Sequence, residues 1–103
     1  MAKRIIWSDS ALKSRVEILQ FWIEKTGNKK YSRKLSKELN ARVDHLKYYP
    51  KIGKPTELEE IRTTACGHFS IFYQILKNEI LIIALYDTRR NPTDLIEKLK
   101  KGS

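Results

Sequence analysis

The chain has little of what staples or cages a small domain. Cys66 is its one cysteine, so no internal disulfide can form, and two histidines with no second thiol offer no metal-ligand spacing. Neither a metal nor a cofactor is expected. Repeats, linkers and low-complexity tracts are missing too, so residues 1–103 read as one domain with one core. The longest unbroken apolar run, Ile80 to Tyr86, is far too short to span a bilayer. The start, Met1 to Asp9, lacks the apolar stretch of a secretory leader. A cytoplasmic protein without a membrane partner is the expectation. Acidic residues are scarce, 12 against 21 lysines and arginines, and the formal charge of +9 favours an anionic partner, either nucleic acid or an acidic protein.

What the chain does have is concentrated between Phe69 and Pro92. Two β-rich apolar runs flank Lys77-Asn78-Glu79, the pattern of a hairpin. In the first run Phe69, Ile71, Tyr73 and Ile75 share one face, and Ser70, Phe72, Gln74 and Leu76 the other. Large apolar groups on both faces argue for a central position in a sheet. The second run is almost wholly aliphatic and leads straight into Asp87-Thr88-Arg89-Arg90. A buried strand ending in two guanidinium groups presents positive charge from a rigid support.

Upstream, Lys3 to Trp7 is β-prone, and Ser8 or Asp9 can cap the helix that follows by accepting from a free backbone N–H. Leu12, Val16, Leu19 and Ile23 form one stripe of that helix, and Ala11, Ile18 and Trp22 form an adjoining one. Gly27 is a natural stop. A second helix is predicted over Lys30 to Tyr48, with Tyr31, Leu35, Leu39, Val43 and Leu46 buried. Between Asn28 and Lys54 there are nine basic residues against Glu38 and Asp44, which reads either as a solvated face or as an electrostatic footprint. Pro50, Gly53 and Pro55 then interrupt regular structure. A strand from Leu58 to Thr64 and a turn at Ala65-Cys66-Gly67 lead into the hairpin. Pro92 suits the first turn of a last helix carrying Leu95, Ile96 and Leu99. The order β-α-α-β-β-β-α predicts an α+β fold: an N-terminal strand, an antiparallel helical hairpin on one face of an antiparallel sheet, and a short C-terminal helix.

Several of these signals fall in a familiar order. Trp7-Ser8-x-x-Ala11 opens the first helix, and Leu46-x-x-x-Pro50-x-x-Gly53 breaks the chain after the second. Ile61-Arg62, Phe69-x-Ile71-x-Tyr73 and Asp87-x-Arg89-Arg90 then mark the sheet. Together they resemble the RelE/ParE superfamily of toxins from bacterial type II toxin–antitoxin modules, over nearly the whole chain. The resemblance implies growth inhibition relieved by a cognate antitoxin. It also implies one of two targets: DNA gyrase in the ParE-like branch, or the ribosome with its mRNA, cleaved in the A site, in the RelE-like branch.

Metal-free RNA cleavage needs a base for the 2′-OH, cations for the phosphorane and an acid for the leaving oxygen. Arg62, Arg89 and Arg90 are candidates for phosphate or target contact, since guanidinium groups hold phosphate bidentately. Arg62 can equally pair with Glu57, Glu59 or Glu60. His68 is the one imidazole at the entrance of the hairpin strand, able to act near neutral pH. No Tyr or His follows Tyr86, Leu95 or Ile96 falls near the family's acid position, and Ser70 stands where the cleaving branch tends to carry Arg. The nuclease set is incomplete, which favours the ParE-like, gyrase-directed reading; the alternative is a metal-independent endoribonuclease acting on ribosome-bound mRNA. Tyr73, Tyr86, Trp7 and Trp22 read as packing residues, and Cys66 as an inert thiol. An acidic antitoxin tail is expected to cover the arginines and to meet Leu95, Ile96 and Leu99. A plain nucleic-acid-binding module is disfavoured, because the sequence shows no exposed aromatic pair on which bases stack.

Overall fold

The structure is a computed structural model that describes residues 2–88. The helix expected from Pro92, with Leu95, Ile96 and Leu99, lies outside the described residues. The chain enters through β1 (Arg4–Trp7) and turns at Ser8, whose hydroxyl accepts from the Ala11 N–H at 3.0 Å and so starts α1 (Asp9–Thr26). Gly27 stops that helix with φ of 78°, a left-handed cap that donates its N–H to the Ile23 carbonyl. After three residues α2 (Lys30–Leu46) runs back against α1, completing the helical hairpin.

The strands β2 (Lys54–Pro55), β3 (Ile61–Cys66), β4 (Phe69–Ile75) and β5 (Glu79–Asp87) follow, and the sheet order is β1-β5-β4-β3-β2. The α+β architecture is as expected, with two differences: β1 pairs parallel to β5, so the sheet is mixed rather than antiparallel, and a two-residue edge strand, β2, forms at Lys54–Pro55, where the prolines and Gly53 predict only a break. Local pattern does not fix that direction, because Arg4 and its partner Glu79 are joined only through the helical hairpin and the rest of the sheet. The expected start of β3 at Leu58 moves to Ile61. Thr56 Oγ1 accepts from the Leu58 N–H, the Ile61 N–H closes on the Leu58 carbonyl, and Glu60 takes φ of 65°. Side-chain hydrogen bonding thus holds a turn where the sequence reads as strand.

One face of the sheet meets the helices. Phe69, Ile71 and Tyr73 of β4 pair with Asp87, Leu85 and Ile82 of β5 on that face. A bulge between Phe72 and Tyr73 in the β4–β5 register admits Ile83 as an extra residue and keeps both strands in phase across it. Leu35, Leu39, Val43 and Leu46 of α2, with Ala11 and Ile18 of α1, complete the core. On α1 the buried stripe is Ala11–Ile18, joined by half-buried Trp22. Leu12 and Val16 stay 45% and 66% exposed, so only part of the predicted wide face is covered. Among the described residues no helix is long and apolar enough to cross a membrane.

Candidate functional site

Arg62 lies directly across from Tyr73 in the β3–β4 ladder, on the face that the helices cover. Tyr73 is fully buried, and its hydroxyl reaches the loop after α2, donating to the Pro50 carbonyl at 2.6 Å and accepting from the Gly53 N–H at 2.9 Å. Arg62 Nη1 donates to the Gly53 carbonyl at 2.7 Å and, at 3.5 Å, approaches that of Lys51. Where this loop presses onto the sheet at buried Gly53, its carbonyls and N–H groups need partners, and these two side chains supply them. Burial pushes the Tyr73 phenol above its ordinary value, opposed by the Gly53 N–H and by the nearby Arg62 charge, so it remains a donor at neutral pH. Gly53 has no room for a side chain. A Cβ there would lie 2.8 Å from the Thr63 carbonyl and would strike the Tyr73 hydroxyl. The Pro50-x-x-Gly53 spacing therefore fits a loop that passes hard against a strand.

His68 is elsewhere. It occupies the β3–β4 turn, exposed, with its carbonyl accepting from both the backbone N–H and the hydroxyl of Thr88 at 2.7 Å. Beside it Asp87 pairs with Phe69 at the end of β5, is only 2% exposed, and accepts from Trp22 Nε1 at 3.1 Å. The turn and the mouth of β5 are thus tied together, with α1 reaching the same place through Trp22. Arg62 and Cys66 stand four residues apart, roughly 13 Å of strand, and His68 lies beyond Cys66. Arg62 and His68 therefore do not form one constellation. Arg89 and Arg90 follow Thr88 in the chain and lie outside the described residues.

Residues 5–92 match the model of the family described as ParE toxin of type II toxin-antitoxin system, parDE. The chain belongs to the ParE toxin family. No curated protein matches it. Among solved structures it is similar to a chain from the chromosomal ParDE TA system from P. aeruginosa, at 19% identity with a TM-score of 0.74, covering 84% of this chain and 96% of that one. That likeness extends the fold assignment to a solved relative. The RelE-like, mRNA-cleaving alternative finds no support in these matches. Membership in the family implies a cognate antitoxin as partner.

In this ParE-family toxin Arg62 has none of the expected carboxylate partners: the ion pairs among the described residues are Arg4–Glu79 and Lys47–Asp44, and Glu60 instead accepts from Gln74 Nε2 at 3.1 Å. Cys66 is the last residue of β3 rather than part of the turn, and burial raises its thiol pKa. No group of three His, Cys, Asp or Glu side chains among the described residues is arranged to hold a metal ion. Contrary to the expectation from sequence, two neighbouring tyrosines are exposed. The predicted helix ends at Leu46 rather than Tyr48, and Tyr48 and Tyr49 emerge 63% and 59% exposed. Neighbouring tyrosines just past an amphipathic stripe were the available signal.

Proposed function

We propose that this toxin arrests growth by binding DNA gyrase, and that the mouth of β5 is its working surface. His68 there, and Arg89 and Arg90, which follow Thr88 in the sequence, are the proposed contacts, with the basic face of α2 in support. The observation that carries this reading is the ParE family match over residues 5–92, which includes both arginines. It agrees with a sequence that has no Tyr or His after Tyr86 to protonate a leaving oxygen. Arg62 takes a positioning role in this reading, since its guanidinium already serves the Gly53 carbonyl.

The antitoxin in this reading is an acidic segment that orders on binding. Leu95, Ile96 and Leu99 are its proposed apolar contacts, and the exposed Leu12 and Val16 on α1 give it a second apolar strip. An acidic tail meeting a +9 toxin associates faster at low salt. Expression of the chain in a bacterium lacking the antitoxin tests the function. The expected result is growth arrest with gyrase trapped on DNA and a DNA-damage response. Cut mRNA on ribosomes with gyrase unaffected, or undisturbed growth, would overturn it.

A further inference from the structure

Three segments meet where the sheet lies farthest from the mouth of β5: the start of β1, the β4–β5 turn and the chain leaving α2. The Lys3 N–H donates to the Lys47 carbonyl at 3.2 Å and the Arg4 N–H to the Asn78 carbonyl at 3.0 Å, which fastens them together. Between them is an open cleft of about 630 Å³, whose lining includes Lys3, Arg4, Lys47, Tyr48 and Asn78.

Its charge is predominantly positive. Lys77 stands exposed on the β4–β5 turn that frames it. Glu79 pairs with Arg4 at 2.8 Å and Asp44 with Lys47 at 2.9 Å, leaving a positive excess. Both pairs are solvent-accessible, and such pairs hold their partners weakly enough to exchange a carboxylate for a phosphate. Lys3 Nζ donates to the Leu76 and Lys77 carbonyls at 2.8 and 2.7 Å, and an ammonium has a third N–H for an incoming anion. The C-terminal end of α2 carries partial negative charge, but the Lys3, Tyr48 and Tyr49 N–H groups already cover the carbonyls of Lys47 and His45.

The cleft also has one aromatic side chain. Tyr48 lines it, whereas Tyr49 turns to the His45 ring, 4.8 Å away between centroids. Neither tyrosine belongs to the hydrophobic core. Cations alone would suit any anion, whereas cations beside an exposed ring suit a chain of phosphates whose bases are free to stack. A duplex keeps its base faces closed. We propose that this cleft binds single-stranded nucleic acid, with a base stacked on Tyr48 and the flanking phosphates on Lys47 and Arg4. The proposal is independent of gyrase as the target.

Fluorescence anisotropy of the full chain with labelled oligothymidylate and oligouridylate of about 10 nucleotides, near physiological salt, tests it. Binding of both supports shared base-and-phosphate recognition, and tighter binding of the uridylate supports RNA as the source through its 2′-OH. Tyr48→Ala is expected to weaken binding at least about 5-fold, while Tyr48→Phe, which keeps the ring, is expected to retain it. Lys47→Ala is expected to lower the slope of log affinity against log salt by about 0.7, the share of one phosphate on a single strand. No binding by the parent chain, unchanged binding by folded Tyr48→Ala, or equal affinity for polyglutamate would overturn the proposal.

Discussion

Where β3 begins, Arg62 and Tyr73 direct their hydrogen bonds onto Pro50 and Gly53, whereas at the mouth of β5 His68 engages Thr88 only through its backbone carbonyl and keeps its ring in solvent. Both residues are candidates by type alone, a cation on a strand and an imidazole in a turn. The difference lies in what surrounds them. Arg62 finds acceptors within its own chain, because the loop after α2 enters the sheet with unpaired carbonyls. His68 sits where the hairpin turns, and a side chain there is under no such demand. An arginine on a sheet is therefore evidence of a site only after the carbonyls around it have been counted.

Substitutions at the two places should separate them by energy. Gly53→Ala has the largest expected effect, a loss of about 3 kcal/mol in chemical denaturation, because the added methyl must displace both Tyr73 and the Thr63 carbonyl. Little or no loss would mean that the loop is not held against β3. Tyr73→Phe comes next, at about 2 kcal/mol, from the buried Gly53 N–H and Pro50 carbonyl left without the hydroxyl. It should also alter the alkaline limb of stability. The folded phenol titrates above its unfolded value, so its contribution is whole below the unfolded pKa of about 10 and fades as pH rises through the folded one. The difference in stability between parent and Tyr73→Phe should narrow over that range; a constant difference would contradict the buried hydroxyl.

Arg62→Ala is expected to cost about 1 kcal/mol, since its partners are only partly buried, and to leave growth inhibition intact at temperatures where the variant is folded. Loss of toxicity at unchanged stability would return Arg62 to the working surface. His68→Ala has the smallest structural effect, within about 0.5 kcal/mol, because its side chain is exposed and the backbone carbonyl remains. Under the proposed function it should weaken target engagement all the same.

Much of the fold was legible because its signals are local. Ser8 and Gly27 mark α1 by capping chemistry, Leu35, Leu39, Val43 and Leu46 mark the buried side of α2 by spacing, and the alternation from Phe69 marks β4. What escaped depends on distant partners. The stripe Leu12–Val16 is as apolar as Ala11–Ile18, and which of them faces the sheet is decided by how α1 lies across β5. The parallel β1–β5 pair joins positions 75 residues apart, Arg4 and Glu79. At the site, Gly53 announced a break but not the tyrosine behind it. The role of Arg62 required knowing that the same loop returns beside β3.

We propose that the toxin acts through the end of β5, while Arg62, toward the other end of β3, serves the loop after α2. Growth inhibition by Arg89→Ala/Arg90→Ala, measured beside Arg62→Ala at matched levels of folded protein, tests it most directly. The double variant should lose inhibition and Arg62→Ala should keep it. A folded double variant that still arrests growth would contradict the account.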